Sequence, residues 1–106
     1  MSDFIAQYGT EELTFAMPIS LMDAQVYITF EQEHRVVLEK TNEDMEISAD
    51  EIVLPLTQAD TARFGVGQLD IQIRAIFEDG SAPVSDWMHT EVVRTAKRGI
   101  LTYDAR

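Results

Sequence analysis

The sequence contains no cysteine. That absence removes disulfides, thiolate zinc sites, iron–sulfur clusters and thiol nucleophiles together. Bases are scarce: 8 Lys and Arg stand against 19 Asp and Glu, a net charge of −11. Nucleic-acid binders draw most of their affinity from Lys and Arg on phosphates, so nucleic acid is not an expected partner. Anionic membrane surfaces are disfavoured for the same reason. No apolar run approaches the length of about 18 residues that a membrane-crossing helix needs. Residues 1–13 lack the basic n-region and apolar h-region of a secretory signal, so synthesis in the cytoplasm is the expectation. No Ser lies in a G-x-S-x-G elbow.

What is present is ordinary for a globular chain. The 106 residues are 45% apolar and 25% charged, which fits one domain over 1–106. The charge is unevenly placed. Residues 1–93 hold 18 acids and 4 bases, whereas 94–106 hold Arg94, Lys97, Arg98 and Arg106 against Asp104 alone. Residues 95–106 therefore form a basic tail suited to an acidic neighbour, and residues 1–12 an N-terminal arm.

The dominant hydrophobic period is two, the signature of half-buried strands. In QLDIQIRAIF, Leu69, Ile71, Ile73, Ala75 and Phe77 share one parity. AQVYITF turns Val26, Ile28 and Phe30 inward, HRVVLEK turns Val36 and Leu38, and EIVLPL turns Ile52, Leu54 and Leu56. Leu13, Phe15 and Met17 make a first strand, and residues 87–94 a last one. Polar turns at 31–33, 42–44 and Asp79-Gly80 separate them. Thr57, Asp60 and Gly65 punctuate one short helical turn near residues 58–64. The sum is an all-β domain of six or seven strands, either a sandwich or a closed barrel. Its expected core is Phe15, Val26, Ile28, Phe30, Val36, Leu38, Ile52, Leu54, Leu56, Phe64, Leu69, Ile71, Ile73 and Phe77.

Side chains that carry chemistry are few. His34 and His89 are distant in sequence and read as surface residues, short of the ligand count of a metal site. Glu43, Asp44, Glu46, Asp50 and Glu51 crowd together but lack the spacing and the glycine of a calcium loop. Gly65-Val66-Gly67 is too short for a phosphate-binding loop. No catalytic residue, cofactor or metal is expected. Trp87, Tyr27 and Tyr103 are the candidate contact residues for a protein or glycan partner, since Trp and Tyr favour such surfaces.

Three stretches carry a resemblance. Phe30-Glu31-Gln32 leads into a strand ending in Lys40. Leu56, Thr57, Gln58, Asp60, Thr61 and Phe64 then match an L-T-Q-x-[DE]-T-x-x-F pattern. Ile71-Gln72-Ile73-Arg74 follows, with Gly80 in a turn and Ser85 opening the final strand. Over residues 24–101 the chain resembles small tail- or baseplate-region proteins of tailed phages and prophages of Gram-positive bacteria. It is similar in style to the N-terminal attachment domains of baseplate upper proteins. The resemblance implies an immunoglobulin-like antiparallel β-sandwich and a non-enzymatic structural or assembly role. It implies protein–protein contacts with other tail or baseplate proteins or with further copies, either as a component of the virion or as a factor that helps to build it. A carbohydrate- or host-surface-binding module is the alternative.

Overall fold

In the computed structural model, residues 4–104 are described. Eight strands form two sheets. They are β1 (Phe4–Ala6), β2 (Glu11–Ala16), β3 (Gln25–Gln32), β4 (Arg35–Thr41), β5 (Glu46–Ile47), β6 (Glu51–Leu56), β7 (Gly67–Ile76) and β8 (Met88–Val93). One sheet has the order β1-β8-β7-β3-β4 and the other β2-β6-β5. All pairings are antiparallel except β1 with β8. Lettered from β2 as B to β8 as G, the sheets are B-E-D against G-F-C-C′. This is the strand order of an immunoglobulin-like sandwich. Two separate sheets replace the barrel alternative. Eight strands stand where six or seven are expected, the short β1 and β5 making the difference. Where the sequence suggests an arm over residues 1–12, the described part holds β1 and the start of β2, and Ile5 is buried.

The alternation in sequence becomes the core. Leu13 and Phe15 from β2 and Ile52, Leu54 and Leu56 from β6 face Val26, Ile28, Phe30, Leu69, Ile71 and Ile73 across the sandwich. The chain has neither the disulfide between sheets nor the strand-C Trp of antibody domains. Near the end of β3, Phe30 meets Phe64, with ring centroids 5.6 Å apart.

Two expected core residues are corrected. Val36 is 59% exposed and Phe77 is only partly buried. The β3–β4 register shifts between Phe30 and Glu31. Leu38 pairs with inward Phe30, but Val36 pairs with outward Glu31. A bulge inserts one residue, and one residue flips every side chain beyond it to the other face. Phe77 lies past the end of β7, in the turn where its N–H donates to the Ser81 carbonyl (2.9 Å). Gly80, at φ 90°, supplies the left-handed residue of that turn.

The helical turn is α1 (Gln58–Thr61). Thr57 and Asp60 close a reciprocal capping box: Asp60 N–H donates to Thr57 Oγ1 (3.1 Å) and Thr57 N–H to Asp60 Oδ2 (2.9 Å). The same carboxylate accepts an ion pair from Lys40 (2.9 Å).

Candidate functional site

The two ends of the sandwich differ in chemistry. The first end gathers α1, the β3–β4 turn and the start of β7. Its backbone is tied by side chains. Gln32 Nε2 donates to the Gly65 carbonyl (2.7 Å), and Gly65 N–H donates back to Gln32 Oε1 (2.8 Å). Thr61 Oγ1 donates to the Gly9 carbonyl (2.7 Å) and Gln7 Nε2 to the Phe64 carbonyl (2.8 Å). Burial of Asp60 works to raise its carboxyl pKa. The Thr57 N–H, the Lys40 ammonium and the Thr57 hydroxyl outweigh that, so the pKa falls below the ordinary 3.8.

Both histidines lie toward this end, and both are exposed. His34 forms the β3–β4 turn with Glu33, both at positive φ, as a two-residue hairpin of the primed type requires. On β8, His89 Nδ1 sits 2.6 Å from Asp70 Oδ1, and Gln68 Nε2 donates to the same oxygen (2.7 Å). The Gln68 amide first, and His89 second, hold the Asp70 carboxyl below 3.8. This cluster ties β7 to β8 on an open surface. The acidic residues 43–51 spread over a 3-10 turn, β5 and the start of β6. Among the described residues no group of three His, Cys, Asp or Glu side chains gathers as a metal site would require.

The second end gathers the β2–β3 and β7–β8 connections. Residues 17–24 contain Met-Pro-Ile-Ser-Leu-Met, an apolar run in a loop. Residues 83–85 lie extended along β7, with Ala75 N–H donating to Pro83 O (3.1 Å) and Ser85 N–H to Ile73 O (2.8 Å). Between them opens a cleft of about 160 Å³ walled by Met17, Pro18, Ile19, Leu21, Pro83 and Val84. Val84 is 53% exposed, and Ile19 across the cleft is exposed as well. The connections at this end, residues 17–24, 42–45, 48–50 and 77–87, hold seven acidic residues and no Lys or Arg. An apolar cleft among acidic connections, with Arg74 on β7 opposite Val84, is therefore the feature that distinguishes this end. The sequence reading passed over it. Its one signal was a proline-containing apolar run outside any strand.

The three aromatic candidates do not converge. Tyr27 lies on the outer face of the five-stranded sheet, opposite Arg74 on β7. There it lines a cleft of about 340 Å³ with Thr29, Glu39, Arg74, Ile76 and Ala82. Thr29 Oγ1 donates to Glu39 Oε2 (3.1 Å), and among the described residues Arg74 has no ion-pair partner. Trp87 is exposed just before β8, whose first residue Met88 sits opposite Ile71. Tyr103 is 89% exposed, beyond a stretch held at α1. Among the described residues the one ring pair is Phe30 with Phe64.

No protein-family model matches the chain, and no curated protein matches it. A solved protein of Bacteroides vulgatus, described as a "putative glycoside hydrolase", is similar at a TM-score of 0.53 and 10% identity. The match covers 91% of this chain and 17% of that one. This chain thus corresponds to a small part of that protein's length, and the likeness is one of fold. The V domain of amphioxus IgVJ-C2 aligns at a TM-score of 0.36 and 10% identity, over 84% of this chain and 97% of that domain. Among the described residues no helix is long and apolar enough to cross a membrane.

Proposed function

We propose that the chain is a non-enzymatic structural or assembly protein of a tailed phage or prophage, associated with the tail or baseplate and acting through protein–protein contacts. The observation that carries the contact role is the apolar cleft at the second end. Exposed apolar surface rimmed by charge marks interaction sites in otherwise polar proteins. The phage context rests on the sequence resemblance over residues 24–101. The polar side chains that are paired act as ties between strands and turns, as Gln32, Asp60 and His89 do. Mass spectrometry of particles purified from an induced lysogen tests the reading. The expected result is this chain at a fixed ratio to the major tail protein, or bound to tail precursors in the lysate. Absence from both overturns it.

One observation favours a second reading, a carbohydrate- or host-surface-binding module. The outer-face cleft sets the Tyr27 ring beside a cationic Arg74 and an anionic Glu39. An aromatic ring flanked by hydrogen-bonding groups suits a sugar face and its hydroxyls. Binding of host-wall polysaccharide that is lost in Tyr27→Ala supports this reading, and no binding across a broad glycan set ends it.

A further inference from the structure

We infer that the apolar cleft at the second end receives the segment 94–104 of another copy of this chain, so that copies join head to tail. The inference rests on the protein-contact reading above and gives it a partner.

The occupant is argued from complementarity. Residues 94–104 carry Arg94, Lys97 and Arg98 against Asp104, in a chain that is otherwise strongly acidic. The same segment exposes apolar side chains: Ile100 and Leu101 are each 59% exposed, and Tyr103 more so. Basic and apolar groups on one segment therefore match the acidic connections of that end and the apolar walls of the cleft. The walls of the cleft run on in sequence to Asp23 and Asp86, and Met17 N–H donates to the Asp50 carbonyl, with Arg74 on β7 opposite Val84; acids outnumber that one base, which favours a basic segment over an acidic one.

Geometry excludes the chain's own segment. Thr95 Oγ1 donates to the Gln7 carbonyl (2.6 Å), at the first end. Leu101 is held there as well: its N–H donates to Gln58 Oε1 (2.7 Å) and its carbonyl accepts from Gln58 Nε2 (3.1 Å). The cleft lies toward the opposite end, where β3 begins. The eight residues of β3 span about 25 Å. The two residues beyond Leu101 to Tyr103 reach about 7 Å at most. A second copy can present the segment where the same copy cannot. Gln58 fixes the backbone at Leu101, so Leu101 and its neighbour Ile100 are offered on a tethered segment, which lowers the entropic cost of docking.

Such a contact uses two different patches and is heterologous. It propagates into a ring if the rotation closes and into a filament if it does not. Part of the attraction is between exposed charges, so association weakens as salt rises.

Sedimentation velocity over a hundredfold concentration range tests this on the full chain. Two variants at exposed positions are used, Val84→Asp in the cleft and Ile100→Asp with Leu101→Asp in the segment, each checked by circular dichroism. Wild type is expected to gain mass with concentration. Each variant alone is expected to stay a single chain. Their equimolar mixture is expected to form dimers and nothing larger, since one intact cleft meets one intact segment. A dye-labelled peptide of residues 94–104 is expected to bind wild type and not Val84→Asp, more weakly at high salt. The inference is overturned if wild type stays a single chain throughout or if the peptide does not bind. It is equally overturned if wild type associates and the two variants fail to complement. Presence in purified particles alongside a monomeric chain would remove this inference and leave the protein-contact reading standing.

Discussion

The two ends of the sandwich teach opposite lessons about how a chain without disulfides holds its loops. At the α1 end, glutamine side chains act as backbone substitutes. Gln32 pairs with Gly65, and Gln58 pairs with Leu101, each through both a donor and an acceptor. Thr57, Asp60 and Lys40 add a capped and charge-paired corner. At the other end, loops carrying Ile19, Met22 and Val84 leave apolar surface exposed among acidic connections. The first end has its backbone tied by side chains of the same chain. The second leaves apolar surface that association would bury. Stability and association should therefore be separable by position.

The largest break in that comparison is expected from Phe64→Ala. It removes the buried partner of Phe30 at the α1 corner and should cost about 3–5 kcal/mol in urea unfolding. Asp60→Ala removes a helix cap and strands Lys40, with a loss of about 2–3 kcal/mol. This site also sets a pH dependence. The folded Asp60 pKa lies below 3.8, so between the two values the unfolded chain holds more protons and stability rises with pH. The Asp60 contribution is complete above 3.8 and fades as pH falls through the lower folded value. Urea midpoints at pH 7 and pH 3 should therefore converge between wild type and Asp60→Asn at the acid end.

Gln32→Ala leaves the Gly65 N–H and carbonyl without their side-chain partner, and about 1–2 kcal/mol should go. His34→Gly acts in the other direction at the same end. His34 holds φ at 63°, which costs an L-residue energy that glycine avoids, so thermal unfolding should shift upward by the equivalent of about 0.5–1 kcal/mol. The smallest effect belongs to the other end. Val84→Asp should change stability by no more than about 0.5 kcal/mol, because the side chain is already exposed. A large loss there would show that the cleft is part of the core and would end the separation of the two ends.

Much of the fold was legible because alternation is a local property. Every strand carrying a clear period of two appears, with Val26, Ile28, Phe30, Leu69, Ile71 and Ile73 on the buried face. The capping residues Thr57 and Asp60 marked α1 for the same reason. β1 and β5 were illegible because strands of three and two residues show no period, and pairing alone defines them. The cleft was illegible because its walls come from loops some sixty residues apart, Met17 to Leu21 and Pro83 to Val84. The aromatic candidates were chosen by residue type, which carries no information on convergence. Tyr27, Trp87 and Tyr103 lie in different parts of the molecule, and of the three Tyr27 alone lines one of the clefts described above.

The sequence by itself determined that the chain is all-β, acidic, free of thiol chemistry and split in charge between residues 1–93 and 94–106. Those properties depend on composition and on neighbours two residues apart. Only the tertiary structure decided that Val36 faces outward, because a single inserted residue in the β3–β4 ladder inverts the pleat. It alone decided that the apolar cleft and the basic segment lie at opposite ends, because that separation follows from how the two sheets are strung, through side-chain bonds spanning 43 positions between Gln58 and Leu101.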